Sequence, residues 1–545
     1  TCVGTVPERV DLFRAAARTS ATAKEALMPS AFRRTLPARA DLEQQKKLAK
    51  ELLAAFRLGD SEAVARVRAE LPDKTKIVLA DAQFVLAREY GFASWRTLRA
   101  HIEKLADDAV PPIERMKRAV RAGDAEALRR VLRENPALRA AINEPIFAFD
   151  SPALVAASRS NVALVDALLE FGADPNRRSS WWAGGFHPLY GASAAVAERL
   201  LAAGAIPDAC AAAHLDNAEL LASMLSTDPA RVHERGGDGQ TPLHFARSRT
   251  VIDLLIDAGA DLDARDVDHR STAAEWMLGD VGDPGSSRVH LARYLVDRGA
   301  SADIFMAAAL GLTDRVRAMI LASPSVLALR TSQGEYAEKP PSSFHIYQWT
   351  IGPNLTPLQV AARFGQRETL DTMRNLAPPE QRLLLACHEG DAVEARALVR
   401  AHSGIVEGLS AADRRSLTDE AWAANAPAVE IMLELGFDPA APSVSGPTGG
   451  TALHCAAWEG SVACVEAILR YPAGRALLDV RDSTYQGTPL NWCCHGSRNC
   501  GRPGADHAEV ARLLISAGAL VDPEMDECSD AMLAVLEDAR RKSSA

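Results

Sequence analysis

Five side chains able to ligate a metal fall within 15 residues: Cys493, Cys494, His495, Cys500 and His507. Thiolate and imidazole at that density could supply the four ligands of a zinc site. The spacing argues against it. Cys493 and Cys494 are adjacent, so on a helix their side chains diverge by about 100°, and no C-x2-C pair is present. Buried helix thiols beside a polar loop are the simpler expectation, and no metal or other cofactor is assigned. His495 opens the stretch His495–Ser497 and could serve as a general base near neutral pH if an acid lies beside it. The chain carries no phosphate-binding loop, dinucleotide fingerprint, HExxH, GxSxG or kinase set, so no catalytic residue is assigned.

The elements that would position these groups follow from composition and periodicity. The 545 residues are 48% hydrophobic but only 5% aromatic, so the apolar content is largely Ala, Leu and Val, suited to closely packed short helices. No apolar run reaches the roughly 18 residues a membrane span requires. A net charge of −10 disfavours a broad attraction to nucleic acid or anionic lipid. Residues 1–105 are the exception, with 19 basic against 13 acidic side chains. Nine cysteines, an odd number thinly spread, fit reduced thiols better than a disulfide scaffold. The first residues, TCVGTVPERVDLFR, lack the charged start and apolar core of a secretory leader, and the expected location is cytoplasmic.

A period near 33 residues runs through most of the chain. DGQTPLHFARSRTVIDLLIDAGADLDARD at 238–266 reads as turn, short helix, longer helix, Gly-Ala and polar return. GGTALHCAAWEGSVACVEAILRYPA at 449–473 repeats it, as do NLTPLQVAARFG from 354, GTPLNWCCHGS from 487 and the segment 150–176. Thr241 to Thr272 is 31 residues, Ser416 to Thr451 is 35 and Thr451 to Thr488 is 37. Thr241 and Pro242 start a helix, Leu243, Leu254 and Leu255 supply its packing faces, and Gly259 ends the second helix in a left-handed turn.

T-P-L-H, A-A, V-x-x-L-L and G-A-D in this order resemble the ankyrin repeat, over roughly residues 112–527. The resemblance implies an all-α fold, a solenoid of about a dozen helix pairs with short β-hairpin fingers. Residues 1–105 do not fit the repeat, and 1–108 reads as an N-terminal helical module. They pair helices around Gly59-Asp60 and break at Gly91, with Ser94 as an N-cap. The stretch LADAQFVLAREYGFASWRTLRAHIEKL at 79–105 resembles a module that precedes ankyrin arrays in uncharacterised bacterial proteins, a resemblance that implies no activity. The division expected is 1–108 module, 109–527 repeats and 528–545 C-terminal capping helix.

In the repeat, the His of T-P-L-H ties neighbouring units by hydrogen bonds, which implies structural roles for His244 and His454. Trp276 and Trp492, four after the motif Thr, fall at a core position. The residue seven after that Thr emerges on the concave face: Arg121, Ser158, His214, Ser248, Ala309, Arg363, His388, Trp458 and His495. His, Arg and Trp in that column suit a contact surface better than a solvated face. Extra residues at 177–186, 331–353 and 495–507 add Trp181, Trp182, Tyr347 and Trp349, which either meet a partner or cover one another.

The expected function is a non-catalytic scaffold holding a protein or peptide on the concave face. The partner-binding set is Trp181, Trp182, His214, Tyr347, Trp349, Arg363, His388, Trp458 and His495. The alternative is that insertions close the groove into a pocket that binds or transforms a small molecule by His-based acid/base chemistry. A third arrangement folds the positive N-terminal module onto the acidic repeats. Neither nucleic acid nor membrane is an expected partner.

Overall fold

A computed structural model of the chain describes residues 32–37, 40–108, 110–159, 161–279, 287–442, 449–522, 525 and 528–543. Parts of the expected N-terminal module (1–31, 38–39) therefore lie outside the described residues, as do 544–545 of the expected capping segment. The described residues form 31 α-helices and no strand. Three isolated antiparallel bridges stand in the connections: Phe147 with Ser151, Arg265 with Thr272, and Lys339 with Ser342.

The chain divides into two compact units. The first comprises residues 1–142 with 163–173. Its helices Leu42–Arg57, Ser61–Glu70, Leu79–Glu89 and Trp95–Asp108 are followed by the pair Pro112–Ala122 and Ala125–Glu134. Asp60 caps the second helix through Oδ1 to Ala63 N at 2.8 Å. Ser94 and Thr97 cap the fourth reciprocally, Ser94 N donating to Thr97 Oγ1 at 3.0 Å and Thr97 N to Ser94 Oγ at 3.3 Å. Gly91 sits in the left-handed region at φ 83°, where the chain turns between helices. Glu89 is wholly buried and held by two arginines, with Arg66 Nε at 2.7 Å and Arg34 Nε at 3.3 Å.

The second unit, residues 143–162 with 174–545, is a succession of short and longer helices. Several of the short ones open on a capping box, which satisfies two otherwise orphaned N–H groups at the start. Thr272 pairs with Glu275, Thr356 with Gln359 and Thr488 with Asn491. Short helices pack on one another in chain order. Ala209–His214, Pro242–Phe245 and Ala273–Trp276 form one run; Ser416–Trp422, Ala452–Trp458 and Pro489–Asn499 form another. Two cores result, one from Ala209 to Leu385 and one from Leu383 to Leu536. The final helix, Asp530–Ser543, covers the second core with Met532 and Leu536 and packs on His507–Ser516.

Candidate functional site

The motif histidines tie successive units. His244 Nδ1 accepts from Thr241 N at 3.1 Å, so Nε2 carries the proton and donates to Ser271 O at 3.1 Å in the next unit. His454 repeats this, receiving Thr451 N at 3.1 Å and reaching Gly487 O at 3.1 Å. The two core tryptophans anchor in the same way. Trp276 Nε1 donates to Asp266 Oδ2 at 2.9 Å and Trp492 Nε1 to Asp482 Oδ2 at 3.0 Å. Asp482 also accepts from the amides of Thr484, Tyr485 and Gly487, so the turn before each of these helices is organised by one carboxylate.

The Cys/His cluster is distributed among structural contacts. Cys493 is buried with its Sγ 3.2 Å from His507 O and 3.7 Å from Met532 Sδ, and burial pushes its thiol well above the usual range. His507 binds Trp458 O at 2.8 Å, and Cys500 Sγ lies 3.6 Å from Glu459 Oε2. Among the described residues no group of three or more His, Cys, Asp and Glu is arranged to hold a metal ion.

The most concentrated aromatic surface lies where three successive short helices meet. Trp422, at the end of Ser416–Trp422, lies parallel to Trp458, at the end of Ala452–Trp458, with centroids 6.3 Å apart and planes within 11°. Trp492 stands edge-on to both, at 6.3 and 6.2 Å. His495 rests on Trp458 at 5.4 Å. Trp492 is buried, Trp422 and Trp458 are half-buried, and His495 is exposed. Gly496 permits this approach, since a Cβ there would meet Trp458 O at 2.4 Å.

Arg363 and His388 occupy the same position on the two preceding short helices, Pro357–Arg363 and Pro379–His388. Arg363 is exposed. His388 Nδ1 is 2.7 Å from Glu420 Oε1, and the other Glu420 oxygen accepts from Asn425 Nδ2 at 2.7 Å. Burial disfavours the charged imidazole, but the Glu420 carboxylate outweighs it and raises the His388 pKa above its ordinary value.

The other expected aromatic positions are built into the insertions, and His214 ends the helix Ala209–His214. Trp181 packs between Phe149 at 5.2 Å and Trp182 at 6.0 Å, leaving Trp182 44% exposed. Trp349 is 41% exposed and lies edge-on to His269 at 4.8 Å. Tyr347 is fully buried and donates to Asp303 Oδ1 at 2.9 Å. The 331–353 insertion folds down onto the turn at 266–271 as a clasp. His269 Nδ1 bonds Phe344 O at 2.9 Å, Ser343 N donates to Asp268 Oδ1 at 3.0 Å, and Ile346 N donates to Ser271 Oγ at 3.1 Å. Beneath it Arg265, Arg270, Asp303 and His345 line an open cavity. His214 is buried against Ala192 O at 3.3 Å and Arg247, and burial, aided by that guanidinium, brings its pKa down to about 4.

Trp422 and its neighbour Glu420 escape the motif count. Ser416 is the first helical residue here, not the cap, so the register starts at Arg415 and seven residues on lies Trp422. A tryptophan six after a presumed motif position, two before an Ala-Asn turn, was the available signal.

The family model described as Ankyrin repeat matches residues 238–267 and 448–483. These two segments are ankyrin repeats. The second carries Trp458 and ends on the Asp482 turn that anchors Trp492; the first carries the His244 tie to Ser271. No curated protein matches the chain. Among the described residues no helix is long and apolar enough to cross a membrane.

Proposed function

We propose that the chain is a non-catalytic binding scaffold. Its helix pairs stack into an ankyrin solenoid between an N-terminal helical module (1–108) and a C-terminal capping helix. The concave face holds a protein or peptide segment along Arg363, His388, Trp422, Trp458 and His495. The observation that carries this reading is the parallel Trp422–Trp458 pair, left half-buried between an exposed His495 on one side and the Arg363/His388 positions on the other. Indole faces give large contact area at low entropic cost, and Trp with Arg dominates interface hot spots. The two ankyrin repeats support the class of function, since such repeats serve to bind proteins. Trp182 and Trp349 would extend the contact at the insertions, while His214 and Tyr347 hold the surface from beneath. The net charge of −10 favours a neutral or basic partner in encounter rate.

The test uses peptides enriched from a random display library on the full chain. Trp458→Ala combined with Arg363→Ala should weaken the enriched peptide by at least about 30-fold, the cost of losing one hot spot of about 2 kcal/mol or more, with the melting temperature held. Retained affinity together with a lower melting temperature would place these residues in the core and overturn the reading.

A further inference from the structure

Arg159, Arg247 and Arg288 gather around His214. Arg159 follows the helix Ala153–Ala157, His214 closes Ala209–His214, Arg247 follows Pro242–Phe245, and Arg288 precedes Val289–Asp297. The imidazole sets the arrangement. Its Nε2 bonds Ala192 O at 3.3 Å, so Nδ1 is the acceptor and receives Arg247 Nη2 at 3.3 Å and Nε at 3.4 Å. That ring is neutral and balances no charge. Arg288 is anchored through Nη1, which donates to Ala246 O at 2.7 Å and His244 O at 3.1 Å. Arg159 lies across Gly191, where a Cβ would stand 2.7 Å from its Nε.

The charges here do not cancel. Among the described residues the Arg159 guanidinium makes no hydrogen bond or ion pair, that of Arg247 meets only His214, and that of Arg288 meets only the two carbonyls. Guanidiniums stay protonated at neutral pH, so three like charges are held together. Burial lowers the pKa of Arg247, and the charge of Arg159 pushes it the same way. Arg288 is brought down to about 10 by burial, with Arg247 adding to the effect. His214, lowered first by burial, feels all three guanidiniums. Asp216 is the one carboxylate that opposes them at Arg247. Three cations against that single acid leave a local charge of +2 in a chain whose net charge is −10. Arg159 and Arg247 are exposed, so their unused N–H groups are open to a ligand, while Arg288 is half-buried.

The complement is a group with about two negative charges and several acceptors. A phosphate monoester carries about −1.5 to −2 at neutral pH with three acceptor oxygens, and a planar guanidinium offers it two parallel bonds. One carboxylate brings half that charge.

We infer that Arg159 and Arg247 bind a phosphate monoester, with Arg288 adding its charge beside them. The site shares no residue with the Arg363, His388, Trp422, Trp458 and His495 surface and does not rest on the scaffold reading. Free phosphoryl compounds and phosphorylated side chains present the same group, and the test separates them.

Inorganic phosphate, a Gly/Ala peptide with one central phosphoserine, and succinate are titrated into the full chain by calorimetry, with sodium chloride at matched ionic strength as control. Saturable one-to-one binding of phosphate, about tenfold tighter than succinate, is the expected result. A peptide that binds more tightly than phosphate places the group on a partner's side chain; equal affinity places it on a free small molecule. Arg159→Met and Arg247→Met should each weaken phosphate about tenfold, as loss of a charge-assisted contact does. Arg159→Met removes a repelling charge and should hold or raise the melting temperature of the unliganded protein; a fall would show that this guanidinium serves the fold and would overturn its assignment. The His214 ring resonances should shift along the same isotherm, and Trp458→Ala should leave it unchanged. Asp280 and Asp283 are near Arg288 in sequence but lie outside the described residues. Binding seen only in Asp280→Asn/Asp283→Asn would mean that the chain supplies its own anion, and overturns the inference. So do the absence of saturable phosphate binding, succinate bound as tightly as phosphate, or arginine variants that bind as wild type.

Discussion

Arg330 offers the sharpest test of how the unit containing the insertion is held to the units that follow. It is 2% exposed, donates to Asp413 Oδ1 at 2.7 Å, Asn354 O at 2.9 Å and Ser416 Oγ at 3.2 Å, and so spans 86 residues of sequence. Arg330→Met keeps much of the volume and removes all three bonds, leaving Asp413, whose side chain is 10% exposed, with only Ser410 Oγ at 2.7 Å. An uncompensated buried charge of this kind costs about 3–5 kcal/mol. Asp413→Leu alone should cost less, about 2–3 kcal/mol, because the guanidinium keeps Asn354 O and Ser416 Oγ. The double variant Arg330→Met/Asp413→Leu replaces an ion pair by apolar contact and should recover most of that loss, with a coupling energy of at least about 2 kcal/mol. Urea unfolding of the four proteins measures the cycle, and hydrogen exchange locates it. Protection should fall first at 331–356 and 411–420, since repeat units open locally before the whole. A single-variant cost below about 1 kcal/mol, or additivity within about 0.5 kcal/mol, would refute the claim that this pair bridges the two segments.

Two further predictions rest on other buried carboxylates. Burial, aided by Glu420 and opposed by Arg330 and Asn354, raises Asp419 to about 7 from an ordinary 3.8, and its Oδ1 has no partner. A raised carboxyl makes the folded state bind the extra proton, so stability falls as pH rises from about 4 to about 7 and stays low above it. Asp419→Asn should therefore be near neutral at pH 4 and stabilising by up to about 4 kcal/mol at pH 8; an equal effect at both pH values in urea melts would contradict the assignment. In the first unit, Glu89→Ala leaves Arg66, with its side chain 13% exposed, without its carboxylate and should cost about 3 kcal/mol. Exchange protection lost only within 42–108 is the expected signature, and a loss under about 1 kcal/mol would show the arginines to be solvated instead.

The repeat units were legible because their residues act locally. Thr241 with His244 and Thr451 with His454 sit three apart on one helical turn, and the left-handed Gly259, at φ 91°, closes its helix with no long-range input. The all-α class followed from the resemblance of those motifs to the ankyrin repeat. What lay beyond the sequence was anything decided across units. The Trp422–Trp458 stack joins residues 36 positions apart through a one-residue shift in the register of a helix that lacks the Thr-Pro start. The fold-back of 331–353 was one of two open alternatives for its aromatics, because exposure of Trp349 costs the same whether a partner or His269 relieves it. The cavity beneath was invisible for a similar reason. Arg265 and Arg270 share one turn while Asp303 and His345 come from two other segments, and only the clasp brings them to one space.

The clasp also bears on how such a chain can change its length over evolutionary time. Tandem units grow and shrink by duplication and unequal exchange, and a unit that touches only its immediate neighbours tolerates either event. Here the two halves of one fastening, His269 to Ser271 and Phe344 to Ile346, are 75 residues apart in the gene. Gain or loss of a unit between them would part those halves, so this interval is inherited as a block, and insertions or deletions of whole units among descendants belong on either side of it.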